Sequence, residues 1–385
     1  MLAENNLEAT HEIFNVLETS SLIADIMLDR LPMILVATDG DGTIFKVNQA
    51  TKRFFSSSKK QLLGKKFTDI VGEDAKKFFD KYFHQTVNSH NDDEVVTYLE
   101  KEENQFVAWS ISSITSNQGY LEQIHIILGS DTTEMINMQT SISAAKIIQN
   151  ALLPTGSQNP AIEIVSHYQS AEDTGGDLFD YCFNKDVSRF YAIIADVNGH
   201  GIPAALMTGS ISGAFKGILS EMEGDHSTSQ EENLINLAHS INDSFMSTSI
   251  RTSLLASMAL ISIEVKTGSC TYLNAGHQPI FRIHTDGKID PVLLPGPLLG
   301  LNSEPKFTAK TFKLKRGEKI FLHTDGLVEN TGPHGEHITN RSLKNLLQSS
   351  QDSTIIKENI LATTKTTWRE HPPNDDVAFL IVHLA

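Results

Sequence analysis

The chain has 385 residues, a length that fits two domains and their connectors rather than one core. Hydrophobic residues make up 40% and charged residues 20%, the balance of a soluble globular protein, while a net charge of −16 argues against nucleic acid as a partner. Cys182 and Cys270 supply no disulfide framework or thiolate zinc site, the start lacks the charged and apolar regions of a leader, and the longest nearly unbroken apolar run, Leu254 to Ile263, is about half a bilayer span. The expected location is the cytoplasm, with no membrane partner.

Residues 7–30 space Ile13, Phe14, Leu17, Ile23, Ile26 and Met27 for one helical face, and 1–23 is set apart as an N-terminal helix. Leu31 to Asn48 then predicts strand, turn and strand, because the Asp39-Gly40-Asp41-Gly42 pairs supply a positive-φ turn between β-formers. Helical material follows to about residue 90, including Ala75 to Thr86. Strands are expected over Glu94 to Glu100, Gln105 to Ile114 and Tyr120 to Leu128. The order and the phrases Asp39-Gly40-Asp41-Gly42-Thr43-Ile44, Val47-Asn48-Gln49-Ala50 and Leu62-Leu63-Gly64-Lys65 resemble a PAS sensor domain over residues 24–130. That resemblance implies a curved antiparallel sheet carrying short helices over a small pocket, whose ligand is unknown. Without cysteine in the segment, flavin–thiol photochemistry is not expected. His84, His90 and His125 are read as surface or core histidines before haem ligands, and the domain either binds a small molecule or serves dimerisation.

From Asp131 the chain reads as helix until Pro154 and Gly156, so 131–156 is a helical connector. Met135, Met138, Ile142, Ala145, Gln149 and Leu152 step by three and four, as in a short coiled-coil seam that would pair two copies. A helix packed on one of the domains satisfies the same spacing.

Over 157–385, strands are expected at 162–170, 178–184, 189–197, 254–265, 269–275, 279–284, 310–314, 318–324 and 377–384. Helices are expected at 201–220, 231–247, 339–349 and 353–369, with a polar loop from Glu221 to Glu232. Strand runs broken by helix pairs favour an α+β sandwich over a doubly wound parallel sheet. Lys266-Thr267-Gly268 and Lys315-Arg316-Gly317 are read as hairpin turns, and Asp286-Gly287 as a turn.

Four places in this half set a carboxylate at the end of an apolar run or beside glycine: Asp177, Asp196, Asp325 and the Asp375-Asp376 pair. A buried carboxylate is costly unless a positive partner meets it, and four such places point to hard, oxygen-liganded cations. Two cations sharing a carboxylate can activate water for displacement at phosphorus, which requires no nucleophilic side chain. The sequence holds no P-loop and no Gly-x-Ser-x-Gly. After Asp196 the glycines of Val197-Asn198-Gly199-His200-Gly201 permit close approach of backbone oxygens, so the Val197 carbonyl is a candidate ligand. His200 and Gly201 stand at a helix entrance as candidate substrate-positioning residues, with a structural histidine as the other reading.

Six motifs occur in family order: Gly175 to Asp180, Asp196 to Leu206, Asn274 to Pro279, Pro297 to Leu301, His323 to Glu329 and Asn374 to Ala378. Together they resemble the bacterial SpoIIE/RsbU-type branch of metal-dependent serine/threonine phosphatases, the protein phosphatase 2C class, over 157–385. The resemblance implies an αββα sandwich with two Mn²⁺ or Mg²⁺ ions at one edge. Asp196 would bridge them, Asp177 and the Val197 carbonyl would complete one site, and Asp325 with Asp375 the other, Asp376 being the competitor for that last role. Asp180 and the Asn274 to Pro279 stretch are expected to be structural, and Asn198 stands where relatives usually carry serine. The implied substrate is a phosphorylated STAS-domain protein, an anti-sigma-factor antagonist, with the connector dimerising the chain. Two other readings stay open: a signalling scaffold without turnover, and a nucleotide cyclase, because Gly175-Gly176-Asp177-Leu178-Phe179 approaches a diguanylate cyclase signature but has Leu178 where an acid is expected.

Overall fold

The computed structural model describes residues 22–84, 94–100, 105–115, 123–154, 159–221, 229–369 and 371–385. Ile13, Phe14, Leu17, Thr86, His90, Tyr120, Gly156 and most of the 221–232 loop lie outside them. The chain divides into two compact units between Thr140 and Ser141.

In the first unit, a helix over 22–30 (α1) precedes β1 (Ile34–Asp39), β2 (Ile44–Val47), α2 (Gln49–Phe54), α3 (Lys59–Leu62) and α4 (Glu73–His84). Strands β3 (Glu94–Glu100), β4 (Phe106–Thr115) and β5 (Gln123–Asp131) complete an antiparallel sheet of order β2-β1-β5-β4-β3. Gly42 closes the β1–β2 turn at φ 79°, a conformation natural to glycine. Phe67, Phe79 and Trp109 meet edge to face in the core over that sheet. His125 is a buried core residue, its Nδ1 2.7 Å from the Ser113 hydroxyl, and burial lowers its pKa.

Helix α5 (Thr133–Leu152) follows β5 and runs across the boundary between the units. Of the proposed seam, Met135 and Met138 are exposed, Ile142, Ala145 and Leu152 half-buried, and Gln149 is the buried residue of the helix.

The second unit contains β6 (Ile162–Gln169), β7 (Asp177–Phe183), β8 (Arg189–Val197), α6 (Ile202–Glu221), α7 (Gln230–Thr252), β9 (Ala256–Glu264), β10 (Ser269–Ala275), β11 (Ile280–Ile283), β12 (Ile289–Val292), β13 (Ala309–Lys313) and β14 (Lys319–His323). After β14 come α8 (Gly326–Glu329), α9 (Asn340–Leu347), α10 (Ser353–Trp368) and β15 (Val377–Leu384). Two five-stranded antiparallel sheets result, ordered β13-β10-β9-β8-β7 and β12-β11-β14-β15-β6. Strand alternation sorts the side chains into layers. Phe179, Ile194, Leu322 and Leu380 fill the space between the sheets. Leu178, Ile193 and Leu260 face α6 and α7, and Phe321, Phe379 and Ile381 face α9 and α10. This is an αββα sandwich.

Two expectations require correction. Lys315-Arg316-Gly317 is not a hairpin: β13 pairs with β10, β14 pairs with β11 and β15, and the turn carries the chain from one sheet to the other. Glycine-containing turns permit either outcome, and layer pairing decides. Strand β12 is absent from the expected strands; it contains Pro291, which an edge strand tolerates, and among the described residues it pairs with β11 alone, around the Gly287 turn.

Helix α6 is long and apolar enough in composition to cross a bilayer over Ile202–Ser220, although Thr208, Gly209 and Ser210 interrupt its apolar run. Its Ala204, Met207, Ile211, Phe215 and Leu219 are packed in the core beside the first sheet. On its exposed face Gly217 has open space where a Cβ would sit. Gly217→Ala should therefore raise the stability by about 0.5–1 kcal/mol, through the backbone entropy glycine loses in a helix, read as a higher urea midpoint. An unchanged or lower midpoint would contradict it.

Candidate active site

Asp177 opens β7 and Asp196 lies near the end of β8, and the two are direct cross-strand partners. Their alternation places both side chains with Phe179 and Ile194, in the layer between the sheets, at its edge. From the opposite sheet, Thr324 follows β14 and donates its hydroxyl to Asp177 Oδ2 at 2.6 Å. Asp325 stands at the N-terminus of α8, and Asp375 and Asp376 immediately precede β15.

Three glycines allow this convergence by close approach rather than by unusual φ. A Cβ at Gly175 would overlap the Asp376 carboxylate, one at Gly176 the Val197 carbonyl oxygen, and one at Gly326 the Asp376 carbonyl oxygen. The Val197 carbonyl thus lies against the backbone that leads into Asp177.

The adjacent acids have different surroundings. Asp376 is buried and accepts backbone N–H bonds from Ala171 at 2.7 Å, Gly176 at 2.5 Å and Asp177 at 3.4 Å. Asp375 is exposed, and one of its oxygens accepts from Asp376 N at 2.8 Å. Asn330 fixes that loop: its amide donates to the Gly326 and Asp375 carbonyls and accepts from Asn374 N and Asp375 N.

Electrostatically the edge is an uncompensated anion. Burial, then the charge of Asp196, raises the Asp177 pKa well above the carboxylate range, against the Thr324 hydrogen bond. Burial, then Asp325, Asp375, Asp376 and Glu329, pushes Asp196 up to about 7. Asp325 is raised by burial and Glu329, and Asp375 by burial and Asp325. Among the described residues, none of these four pairs with lysine or arginine. Asp180, facing α6, instead accepts from Ser212 at 2.6 Å and pairs with Lys216 at 2.8 Å. It is held as a structural hydrogen-bonder.

His200 lies at the rim, 77% exposed, with Nδ1 3.0 Å from a Glu172 oxygen. It shares an open cleft of about 220 Å³ with Glu172, Gly199, Asn374, Asp375 and Asp376. Gly201 adopts φ 78° just before α6, and Asn198 bonds to the backbone of Leu255. Asn274 caps its turn by accepting from His277 N and donating to the His277 and Leu294 carbonyls. His277 is buried against Ser257 and the His323 carbonyl, and burial lowers its pKa to about 3.

Sequence reasoning did not assign roles to Thr324, Asn330 or the Gln149 side chain. Thr324 alternates with Ile320 and Leu322, which would have placed it in the interlayer; Asn330 gives no such sign. Among the described residues, no three His, Cys, Asp or Glu side chains close on a single metal-sized point. The all-oxygen donor set, its mutual repulsion and the lack of a basic partner nevertheless fit hard divalent cations.

A sandwich with helices on both outer faces and acids from both sheets at one edge defines the protein phosphatase 2C class of fold. The family profile for Stage II sporulation protein E (SpoIIE) matches residues 186–385, and a PAS domain profile matches residues 31–134. The chain belongs to the SpoIIE family. It is similar to the phosphoserine phosphatases RsbP and RsbU of Bacillus subtilis. Identity to RsbP is 26% over 251 residues, covering 64% of this chain and 58% of RsbP. Identity to RsbU is 28% over 194 residues, covering 50% of this chain and 54% of RsbU. The chain thus spans little more than half the length of either. The SiaA-PP2C domain of Pseudomonas aeruginosa shares the fold, with a TM-score of 0.54 and 19% identity, covering 66% of this chain and all of that domain.

Proposed function

We propose that this protein is a sensor-regulated, metal-dependent phosphatase of phosphoserine and phosphothreonine proteins. The observation that carries the reading is the cross-strand Asp177–Asp196 pair opposite Asp325 and Asp375, all four with raised pKa and, among the described residues, no basic partner. Asp196 would bridge two Mn²⁺ or Mg²⁺ ions, with Asp177 and the Val197 carbonyl on one and Asp325 and Asp375 on the other. Asp375 is favoured over Asp376 because three backbone amides already engage the Asp376 carboxylate. A bound cation pair supplies an activated water and polarises the phosphoryl oxygens. The chain's own residues orient that chemistry: Thr324 holds Asp177, Asn330 holds the Asp375 loop, and His200 borders the cleft, with Gly201 next to it in the chain.

The similarity to RsbP and RsbU supports a phosphoserine substrate, and we take it to be a STAS-domain anti-sigma-factor antagonist. The acidic balance suits a cytoplasmic protein acting on neither nucleic acid nor membrane. The PAS domain would receive a signal of unassigned chemistry, and α5 would join two copies. The test is phosphate release from the phosphorylated STAS protein with added Mn²⁺ and with EDTA. Release that requires the metal supports the reading. Release that persists in EDTA defeats it, and a chain that binds no Mn²⁺ is a scaffold instead.

A further inference from the structure

The turn after Asn274 carries the chain from β10 in one sheet to β11 in the other. Its backbone is fixed twice over. Gly276 turns at φ 73° and bridges to Met258, and the Asn274 side chain bonds both His277 N and the His277 carbonyl. The His277 ring is thereby held in the interior, 7% exposed. Its Nδ1 lies 2.6 Å from the Ser257 hydroxyl of β9, and its Nε2 lies 3.1 Å from the carbonyl of His323, the last residue of β14. A carbonyl oxygen can only accept, so Nε2 carries the hydrogen and Nδ1 accepts from Ser257. Burial keeps the ring in that neutral form. One imidazole therefore joins the two sheets.

Both anchors touch the acidic edge without using an acid. Ser257 is the direct cross-strand partner of Asp196, so their side chains stand on the same face of the sheet. His323 precedes Thr324, whose hydroxyl meets Asp177, and lies two residues before Asp325. Two other bonds that span the sheets here both end on carboxylates: Thr324 on Asp177, and the Gly176 amide on Asp376. Their strength changes with the charge those carboxylates carry and with any cation they hold. The imidazole bridge is insensitive to both, which suits it to keep a spacing. Carboxylates that repel one another press the sheets apart at this edge, whereas a cation pair needs its donors placed within about half an ångström.

We infer that His277 is a positioning residue: its bridge from Ser257 to the His323 carbonyl sets how far Asp196 stands from Asp325 across the two sheets. This rests on the phosphatase reading above and extends it to a residue behind the proposed ligands. His277→Phe keeps a flat ring and removes both bonds. His277→Gln can bring an amide nitrogen to the place of Nε2 and so keeps the bond to His323. Val382→Ala opens a cavity in the same layer toward the far end of β15, opposite Ile320, and leaves the bridge alone.

The experiment measures Mn²⁺ affinity by calorimetry on the full chain, with the metal-free urea midpoint recorded alongside. His277→Phe should weaken Mn²⁺ binding about tenfold or more, the scale on which residues behind metal ligands act. His277→Gln should return the affinity to within about threefold of wild type, one neutral hydrogen bond being the difference. Val382→Ala should lower the midpoint and leave Mn²⁺ affinity unchanged. Wild-type affinity in His277→Phe would overturn the inference, as would a glutamine variant no better than the phenylalanine one. An equal loss of affinity in Val382→Ala would also overturn it, by reducing the effect to stability. If His277→Phe does not fold, Ser257→Ala decides: losing one anchor should weaken Mn²⁺ binding about threefold, and an unchanged affinity overturns the inference. A wild type that binds Mn²⁺ yet releases no phosphate defeats the phosphatase reading and leaves this comparison intact; one that binds no Mn²⁺ defeats both.

Discussion

Asp196→Asn is expected to lower Mn²⁺-dependent phosphate release by on the order of a thousandfold or more. On the proposed reading Asp196 would serve both cations, and its pKa is raised chiefly by burial and then by Asp325, Asp375 and Asp376. An asparagine preserves shape while removing the charge that would hold the ions together. The same repulsion gives the substitution a second, opposite signature. Without metal, the wild type must hold crowded carboxylates unpaired, so Asp196→Asn should melt no lower than wild type. With Mn²⁺ at a hundred times its dissociation constant, wild type should gain about 2.7 kcal/mol by mass action, and the variant much less. Activity retained by the variant, or equal metal-induced shifts in both proteins, would rule out Asp196 as the bridge.

Gly326→Ala should destabilise the second unit by about 1–3 kcal/mol and depress activity with it. The methyl would occupy the space of the Asp376 carbonyl oxygen, so α8 or the strand start must move. Either displacement breaks the Asn330 bonds that join Gly326 to Asp375 and Asn374. The urea midpoint reports the strain, and the Mn²⁺ concentration for half-maximal activity reports the displaced Asp375. A variant matching wild type in both would show that the junction is more pliant than its packing indicates. The contrast with Gly217→Ala is instructive, because the same methyl enters open solvent there.

Much of this architecture was legible in local chemistry. The apolar runs that end at Asp196 and Thr324, and the one that begins just after Asp376, are strands because β-branched and aromatic residues fill both faces, and each is buried on both sides. Their acids gather at one edge because β8, β14 and β15 end or begin there. What was not legible depends on distant partners. Lys315 to Gly317 could close a hairpin or change sheets, and only the pairing of β10 with β13 decides. Asp375 and Asp376 are indistinguishable by spacing, whereas the amides that occupy Asp376 come from residues about two hundred positions away. Gln149 fits a seam by periodicity, and periodicity gives no sign of the Gly175 peptide and the Thr208 hydroxyl of α6 that its buried amide meets.

The unbroken course of α5 out of the sensor sheet also limits how this chain can be recombined. An α-helix advances about 100° per residue, so one inserted or deleted position rotates everything downstream by more than a quarter turn. Under the proposed sensor regulation, a chimera that replaces the first unit should preserve angular phase at Ser141, adding or removing residues in near-whole turns such as sets of seven. Length alone is a poor guide to a working graft; what has to be inherited is an azimuth.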